Sequence, residues 1–229
     1  IFHNLLANNI FNDFKDIFPN ILNIGGISNI TKTVMNKEGS KNMIEAFDIG
    51  PGNCLIDEWM RKNINKKFDK NGLTGESGIN NQLLFNQAIE NFNFNSYKNS
   101  LDIKDFDISF ARGLSLEDGC ATITNFTAYL IAEGVKFLHK KKDCFSSKYL
   151  ICGGGRKNNF LIKTIKKYLN NFENISLEDI DNFNQNGDFI ESQAFGYLAI
   201  RSFLGLPITF PDTTRCVKPL TGGITVKNF

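Results

Sequence analysis

The chain has 229 residues, 41% of them hydrophobic and 22% charged, with a formal net charge of +2. Those values are ordinary for a globular chain with a sizeable core, and so small a charge argues against nucleic acid or an anionic membrane as the main partner. No run approaches the about 18 apolar residues of a membrane span. Five cysteines (Cys54, Cys120, Cys144, Cys152, Cys216) form no Cys-x-x-Cys pair, and His3 and His139 lie far apart. A disulfide framework and a zinc site are therefore unsupported, and a reducing cytoplasm fits best.

In chain order, Phe2, Leu5, Leu6, Ile10, Phe11 and Phe14 have helical spacing with one apolar face, and Pro19 closes that helix. Ile21–Ile24 reads as a buried strand running into Gly25-Gly26. A second strand, about Ile27 to Val34, leads to a turn at residues 36–40, and a third, Met43 to Phe47, enters Asp48 and a Gly-Pro-Gly turn. A helix over Leu55–Ile64 follows Asn53, an acceptable N-cap. Further helices are expected over about 80–92 and 117–139, a strand over Lys148–Cys152, a helix over 158–172, and a short strand over Ile175–Leu177. An amphipathic helix over Phe189–Leu204 precedes an extended tail from Pro207. The basic run His139-Lys140-Lys141-Lys142 reads as a solvated helix C-terminus. Antiparallel strands followed by alternating strand and helix imply an α/β domain, a mixed sheet with helices on both faces.

Three glycine-centred turns each follow an apolar strand: Asn23-Ile24-Gly25-Gly26-Ile27-Ser28-Asn29, Asp48-Ile49-Gly50-Pro51-Gly52-Asn53 and Cys152-Gly153-Gly154-Gly155-Arg156-Lys157-Asn158. Glycines there let a ligand approach the backbone, whose N–H groups can hold phosphate oxygens. None matches a P-loop or a Rossmann fingerprint. Asp48, before a rigid turn, is placed as a general base would be. The pattern is equally compatible with a carboxylate that only accepts N–H bonds from its own turn.

These strings closely resemble the anhydro-N-acetylmuramic acid kinase family. So do Gly113–Gly119, Gly187-Asp188-Phe189-Ile190-Glu191 and Pro219–Gly223, and the likeness covers essentially the whole chain. The resemblance implies the sugar kinase, heat-shock protein and actin (ribonuclease H-like) superfold, two lobes around an ATP cleft, with residues 1–229 forming the C-terminal, nucleotide-binding lobe. It implies ATP with Mg²⁺, hydrolysis of the 1,6-anhydro bond of anhydro-N-acetylmuramic acid, and phosphorylation of O6 during cell-wall recycling. Asp48 matches the family's base, which activates water. Asn23, Gly25, Gly26 and Asn29, then Gly50, Gly52 and Asn53, and Gly153, Gly154, Gly155 and Asn158 become phosphate and nucleotide contacts. Glu191 matches a carboxylate near the reacting groups, although an acid starting a helix is also explained by the dipole. No metal ligands are assigned. Homodimers are common in the family.

Members also carry a Gly-Thr-Ser-x-Asp-Gly-like phosphate loop and a His-Gly-Gln-Thr-type sugar segment; neither occurs here, and Phe2-His3 matches a point just after them. Ile49 stands where Thr is more usual, and Arg215 where Gly is. The alternatives are a catalytically inactive nucleotide-binding remnant and a kinase of the same superfold acting on a plain hydroxyl without consuming water.

Overall fold

The structure is a computed structural model, and it describes residues 1–15, 18–35, 44–92, 100–141, 144, 146–172, 174–224 and 226. Five strands form one sheet: β1 (Asn20–Ile24), β2 (Ile27–Lys32), β3 (Glu45–Pro51), β4 (Lys148–Cys152) and β5 (Ser176–Asp179), in the order β3-β2-β1-β4-β5. The pairs β1–β2 and β2–β3 are antiparallel; β1–β4 and β4–β5 are parallel. Only the parallel pairs need long crossovers. Between β4 and β5 that crossover is α6 (Asn159–Leu169), whose first turn is capped by the Asn158 side chain. Between β3 and β4 the chain forms α2 (Cys54–Ile64), α3 (Leu73–Ser77), α4 (Gln82–Glu90) and α5 (Leu116–His139).

Alternation along each strand sorts the two faces. Leu22, Ile24, Ile30, Ile49 and Ile151 pack with Leu55, Trp59, Ile123, Leu130, Val135, Leu161 and Ile165 of α2, α5 and α6. On the other face Ile21, Leu150 and Cys152 meet Leu6 and Ile10 of α1 (Phe2–Phe14), together with Ile180, Phe183 and Ile190. The result is the expected mixed sheet between two helical layers. Two glycines let α5 approach closely: a Cβ on Gly134 would lie 2.5 Å from Ile49 Cβ, and one on Gly119 would lie 2.1 Å from Trp59 Cζ2.

Several expectations are corrected. β3 does not end before Asp48; it runs on through Pro51, held by Asn29↔Asp48, Ser28↔Gly50 and Ile27↔Pro51, with a bulge between Ser28 and Asn29 absorbing one residue. Pro51 is tolerated because β3 is an edge strand. Asn53 precedes α2 but makes no side-chain cap. The expected turn at 36–40, and Met43, lie outside the described residues. α7 (Ile190–Phe203) buries only Ile190 and exposes Phe195, Ile200 and Phe203. The tail is not simply extended. Pro211 opens a short helix, α8 (Pro211–Thr214), its fixed φ suiting that position, and Thr209 bridges Leu220. In the basic run, Lys141 pairs with Glu45 and lies over the Phe47 and Phe137 rings instead of being simply solvated; Lys142 falls outside the described residues.

Candidate active site

The carboxyl ends of β1, β3, β4 and β5 share one edge of the sheet, and all three glycine turns leave from it. From β1 the chain first steps to β2 and β3 on one side, then to β4 and β5 on the other. The crevice between the β1 and β4 ends is thus a topological switch point, where open α/β sheets bind ligands.

Register carries the site further. Asp48 pairs with Asn29, Asn29 with Asn23, and Asn23 with Cys152. Directly paired residues point to the same face, so Asp48, Asn29 and Asn23 form a polar row across neighbouring strands about 4.8 Å apart. All three side chains are half-buried. The row ends on Cys152, whose thiol lies 3.6 Å from Asn23 Oδ1. Burial pushes that thiol up to about 12, against the pull of Arg156 and with the charges of Asp179 and Glu191 adding to the rise, so it is not a nucleophile. Cys54 is likewise buried, its thiol pushed up to about 11 chiefly by burial. Both are small buried residues packed beside these turns.

Burial raises the proton affinity of the Asp48 carboxyl, opposed by the Leu101 N–H and the Arg215 charge. Leu101 N–H donates to Asp48 Oδ2 at 2.9 Å. Arg215 approaches from α8. It occupies a left-handed conformation, φ 58, and donates its N–H to Pro211 O. Asp48 therefore does not simply cap its own turn; its described partners come from distant parts of the chain. A carboxylate with raised proton affinity is a better base than an ordinary one. Asp57, in the first turn of α2, is pushed up to about 6 by burial, with Arg61 opposing.

The glycines divide into two kinds. Gly52 lies against the first turn: a Cβ there would sit 2.2 Å from Gly25 O, and the N–H groups of Gly52, Asn53 and Cys54 donate to Gly26 O, Gly25 O and Gly26 O. Those amides are spent holding two turns together. Gly153, at φ 81, and Gly155 pack against Asn23 and Ile24, where a Cβ would approach within 2.5 Å and 2.2 Å. Gly50 faces Leu130. Asn158 is buried and its side-chain oxygen caps α6. By contrast, Gly25, Gly26 and Gly154 have room for a Cβ, whose nearest neighbours would be 3.5 Å or more away, and their φ is not positive. Gly26 and Gly154 are exposed. Neither backbone strain nor packing requires a glycine there, and the backbone at these positions is open to close approach. A Cβ on Gly154 would sit 3.6 Å from Asn53 Nδ2, so the second and third turns meet.

Glu191 is exposed in the first turn of α7. The chain just before it is tied to the third turn by Arg156, for which the sequence pattern suggests no separate role. Its side chain is 2% exposed and faces Asp179, Asp181 and Asp188 at 3.5, 3.0 and 2.8 Å. A lone Arg inside a glycine turn, followed by an Asp-rich stretch, was the available signal. Nothing in the sequence pointed to Leu101 or to the approach of Arg215. Among the described residues no group of three or more His, Cys, Asp or Glu is placed to hold a metal ion. No helix among them is long and apolar enough to cross a membrane.

The family model for anhydro-N-acetylmuramic acid kinase matches residues 2–227. A relative of that name from Pelagibacter ubique is 46% identical over 233 residues, covering 100% of this chain and 60% of the relative. One from Brucella canis is 37% identical over 207 residues, covering 90% of this chain and 53% of the relative. The chain thus spans little more than half the length of the curated relatives it matches. Two solved structures align more loosely. An activator of 2-hydroxyisocaproyl-CoA dehydratase from Clostridium difficile, with bound ADPNP, has 14% identity and a TM-score of 0.44 over 75% of this chain and 56% of its own. Component A of (R)-2-hydroxyglutaryl-CoA dehydratase from Acidaminococcus fermentans has 11% identity and a TM-score of 0.46 over 78% of this chain and 61% of its own. At that distance neither bears on the chemistry here. The match along nearly the whole chain settles the family: the chain belongs to the anhydro-N-acetylmuramic acid kinases.

Proposed function

We propose that this chain is the C-terminal, nucleotide-binding lobe of a kinase that opens the 1,6-anhydro bond of anhydro-N-acetylmuramic acid and phosphorylates O6. The observation that carries the reading is the placement of Asp48 in one row with Asn29 and Asn23, beside three glycine turns at the switch point of the sheet. In this reading Asp48 accepts a proton from water as the water oxygen bonds to the anomeric carbon. The bond from that carbon to O6 breaks, and O6 takes the phosphoryl group. ATP supplies that group, its bond to the β-phosphate breaking to release ADP, and Mg²⁺ would supply the countercharge. Gly25, Gly26 and Gly154 admit the phosphates, and Asn23 and Asn29 face them. Mg²⁺ arriving with the nucleotide would need few protein ligands, since that ion usually keeps several waters and one or two carboxylates. Glu191 is the second carboxylate of the site, and further sugar contacts come from outside these residues. The five unpaired cysteines suit the cytoplasm, where ATP is available. A homodimer, common in the family, is checked by analytical ultracentrifugation.

The test uses the intact protein with anhydro-N-acetylmuramic acid, ATP and Mg²⁺. Asp48→Asn is expected to lower kcat by at least about 10²-fold, the loss of a positioned general base; near-normal turnover would remove Asp48 from that role. In ¹⁸O-labelled water, label should appear at the anomeric oxygen once exchange is controlled for. Product without label would mean a plain hydroxyl kinase.

A further inference from the structure

We propose that Arg156 is the positioning residue of the nucleotide site, locking the Gly153–Asn158 loop to the turn that leads into α7 and Glu191. The inference rests on the reading of that loop as a nucleotide contact. Three stretches of chain, at Gly153, Asp179–Asp181 and Asp188, converge on one guanidinium. Nη1 donates to Gly153 O at 3.1 Å and to Asp188 Oδ1 at 2.8 Å. Nη2 donates to Asp181 Oδ2 at 3.0 Å, and Nε lies 3.3 Å from the same oxygen and 3.5 Å from Asp179 Oδ1. Asp181 is itself held, its Oδ1 accepting the Gly187 N–H at 2.6 Å. Gly187 must be a glycine, since a Cβ would lie 2.5 Å from Nε and 2.7 Å from Cζ of Arg156. Lys157 closes the set on the outside, 2.5 Å from Asp188 Oδ2.

Stability alone is a poor reason for such an arrangement, because burying the guanidinium costs desolvation while the three half-exposed carboxylates return little. What it does supply is direction. In a trans peptide the C=O and the N–H of one unit point opposite ways. Arg156 pins Gly153 O, from both its side chain and its own N–H. The N–H of Gly154 is therefore turned away from the lock at an exposed glycine with space above it. The planar fork of an arginine can hold a carbonyl and two carboxylates at once; a lysine cannot.

Arg156→Lys and the milder Asp181→Asn are made in the intact protein, and both KM values and kcat are compared with wild type alongside thermal melting. Both variants are expected to raise the KM for ATP, by about tenfold or more for Arg156→Lys, while the KM for the sugar stays within about twofold; displacing a positioned group from a distance has effects of this size. Folded variants with an unchanged KM for ATP would overturn the role. So would equal rises in both KM values with a lowered melting temperature, since those report general loosening. If wild type itself neither binds nor uses ATP, it is the underlying nucleotide reading that fails, and the wild-type control shows this separately.

Discussion

Alanine at Gly154 and at Gly155 should have opposite consequences, although the positions are adjacent. At Gly154 the backbone is not in a positive-φ conformation, and an added Cβ would come no closer than 3.6 Å to anything, namely Asn53 Nδ2. Replacing a glycine whose conformation alanine can adopt restricts the unfolded chain and stabilises by about 0.4–1 kcal/mol. At Gly155 the Cβ would lie 2.2 Å from Ile24 Cγ2 and 2.8 Å from Ile24 Cβ, and Ile24 is fully buried. Overpacking of this kind costs about 1–3 kcal/mol, and the upper end applies because the neighbour cannot swing into solvent. At about 2–4 °C per kcal/mol for a unit of this size, Gly154→Ala should melt slightly higher than wild type and Gly155→Ala several degrees lower. Yet Gly154→Ala should be the variant that fails with nucleotide, its KM for ATP rising by about tenfold, which corresponds to about 1.4 kcal/mol. Thermal melting without nucleotide and steady-state kinetics on the same preparations make the comparison. A Gly154→Ala protein that melts normally and keeps its KM for ATP would refute the claim that a ligand fills the space above that glycine.

Two further outcomes concern charge. Arg215→Gly removes a cation that favours the charged form of Asp48, so the acid limb of the kcat/KM–pH profile should move to higher pH. The same change relieves a left-handed arginine, φ 58, and should raise stability by about 1 kcal/mol; an unmoved acid limb would disconnect Arg215 from Asp48. His3 is half-buried, bonded to Thr31 Oγ1 at 2.8 Å, and its partial removal from water lowers its pKa to about 4. The folded state thus resists a proton that the unfolded state accepts. Stability should be full above the ordinary histidine value near 6.5 and fall by about 3 kcal/mol as the pH drops to about 4. Urea titrations across that range should show this slope in wild type and not in His3→Gln.

Most elements were legible because each carries a local signal. β4 matches the expected run Lys148-Tyr149-Leu150-Ile151-Cys152 to the residue, and α5, expected over about 117–139, spans Leu116–His139. The end of β3 was not legible. Gly-Pro-Gly is a turn signal by composition, and only the pairing with β2 and the bulge at Ser28 keep Gly50 and Pro51 in the sheet. The exposed face of α7 has the same cause, since periodicity shows which residues are apolar but not whether a neighbour covers them. In the site, the sequence marked the three turns. It could not show that register lines Asp48, Asn29 and Asn23 in one row, because pairing is a property of two strands. Nor could it separate glycines required by packing, such as Gly52 and Gly155, from Gly26 and Gly154, which packing leaves unexplained.

The parallel pairing of β1 with β4 also sets a schedule for the chain's birth. Cys152 follows its partner Asn23 by 129 residues, so at about 5–20 residues per second on the ribosome β1 waits about 6–26 s for β4 to be made. During that interval the β1–β2–β3 meander has one open, apolar edge at Ile21–Ile24, the kind of template that recruits stray strands. Pairings so distant in sequence are slow to close even in the finished chain. The crevice between β1 and β4 is therefore among the last features to form, and for those seconds its future wall is the part of the nascent protein most exposed to misassembly.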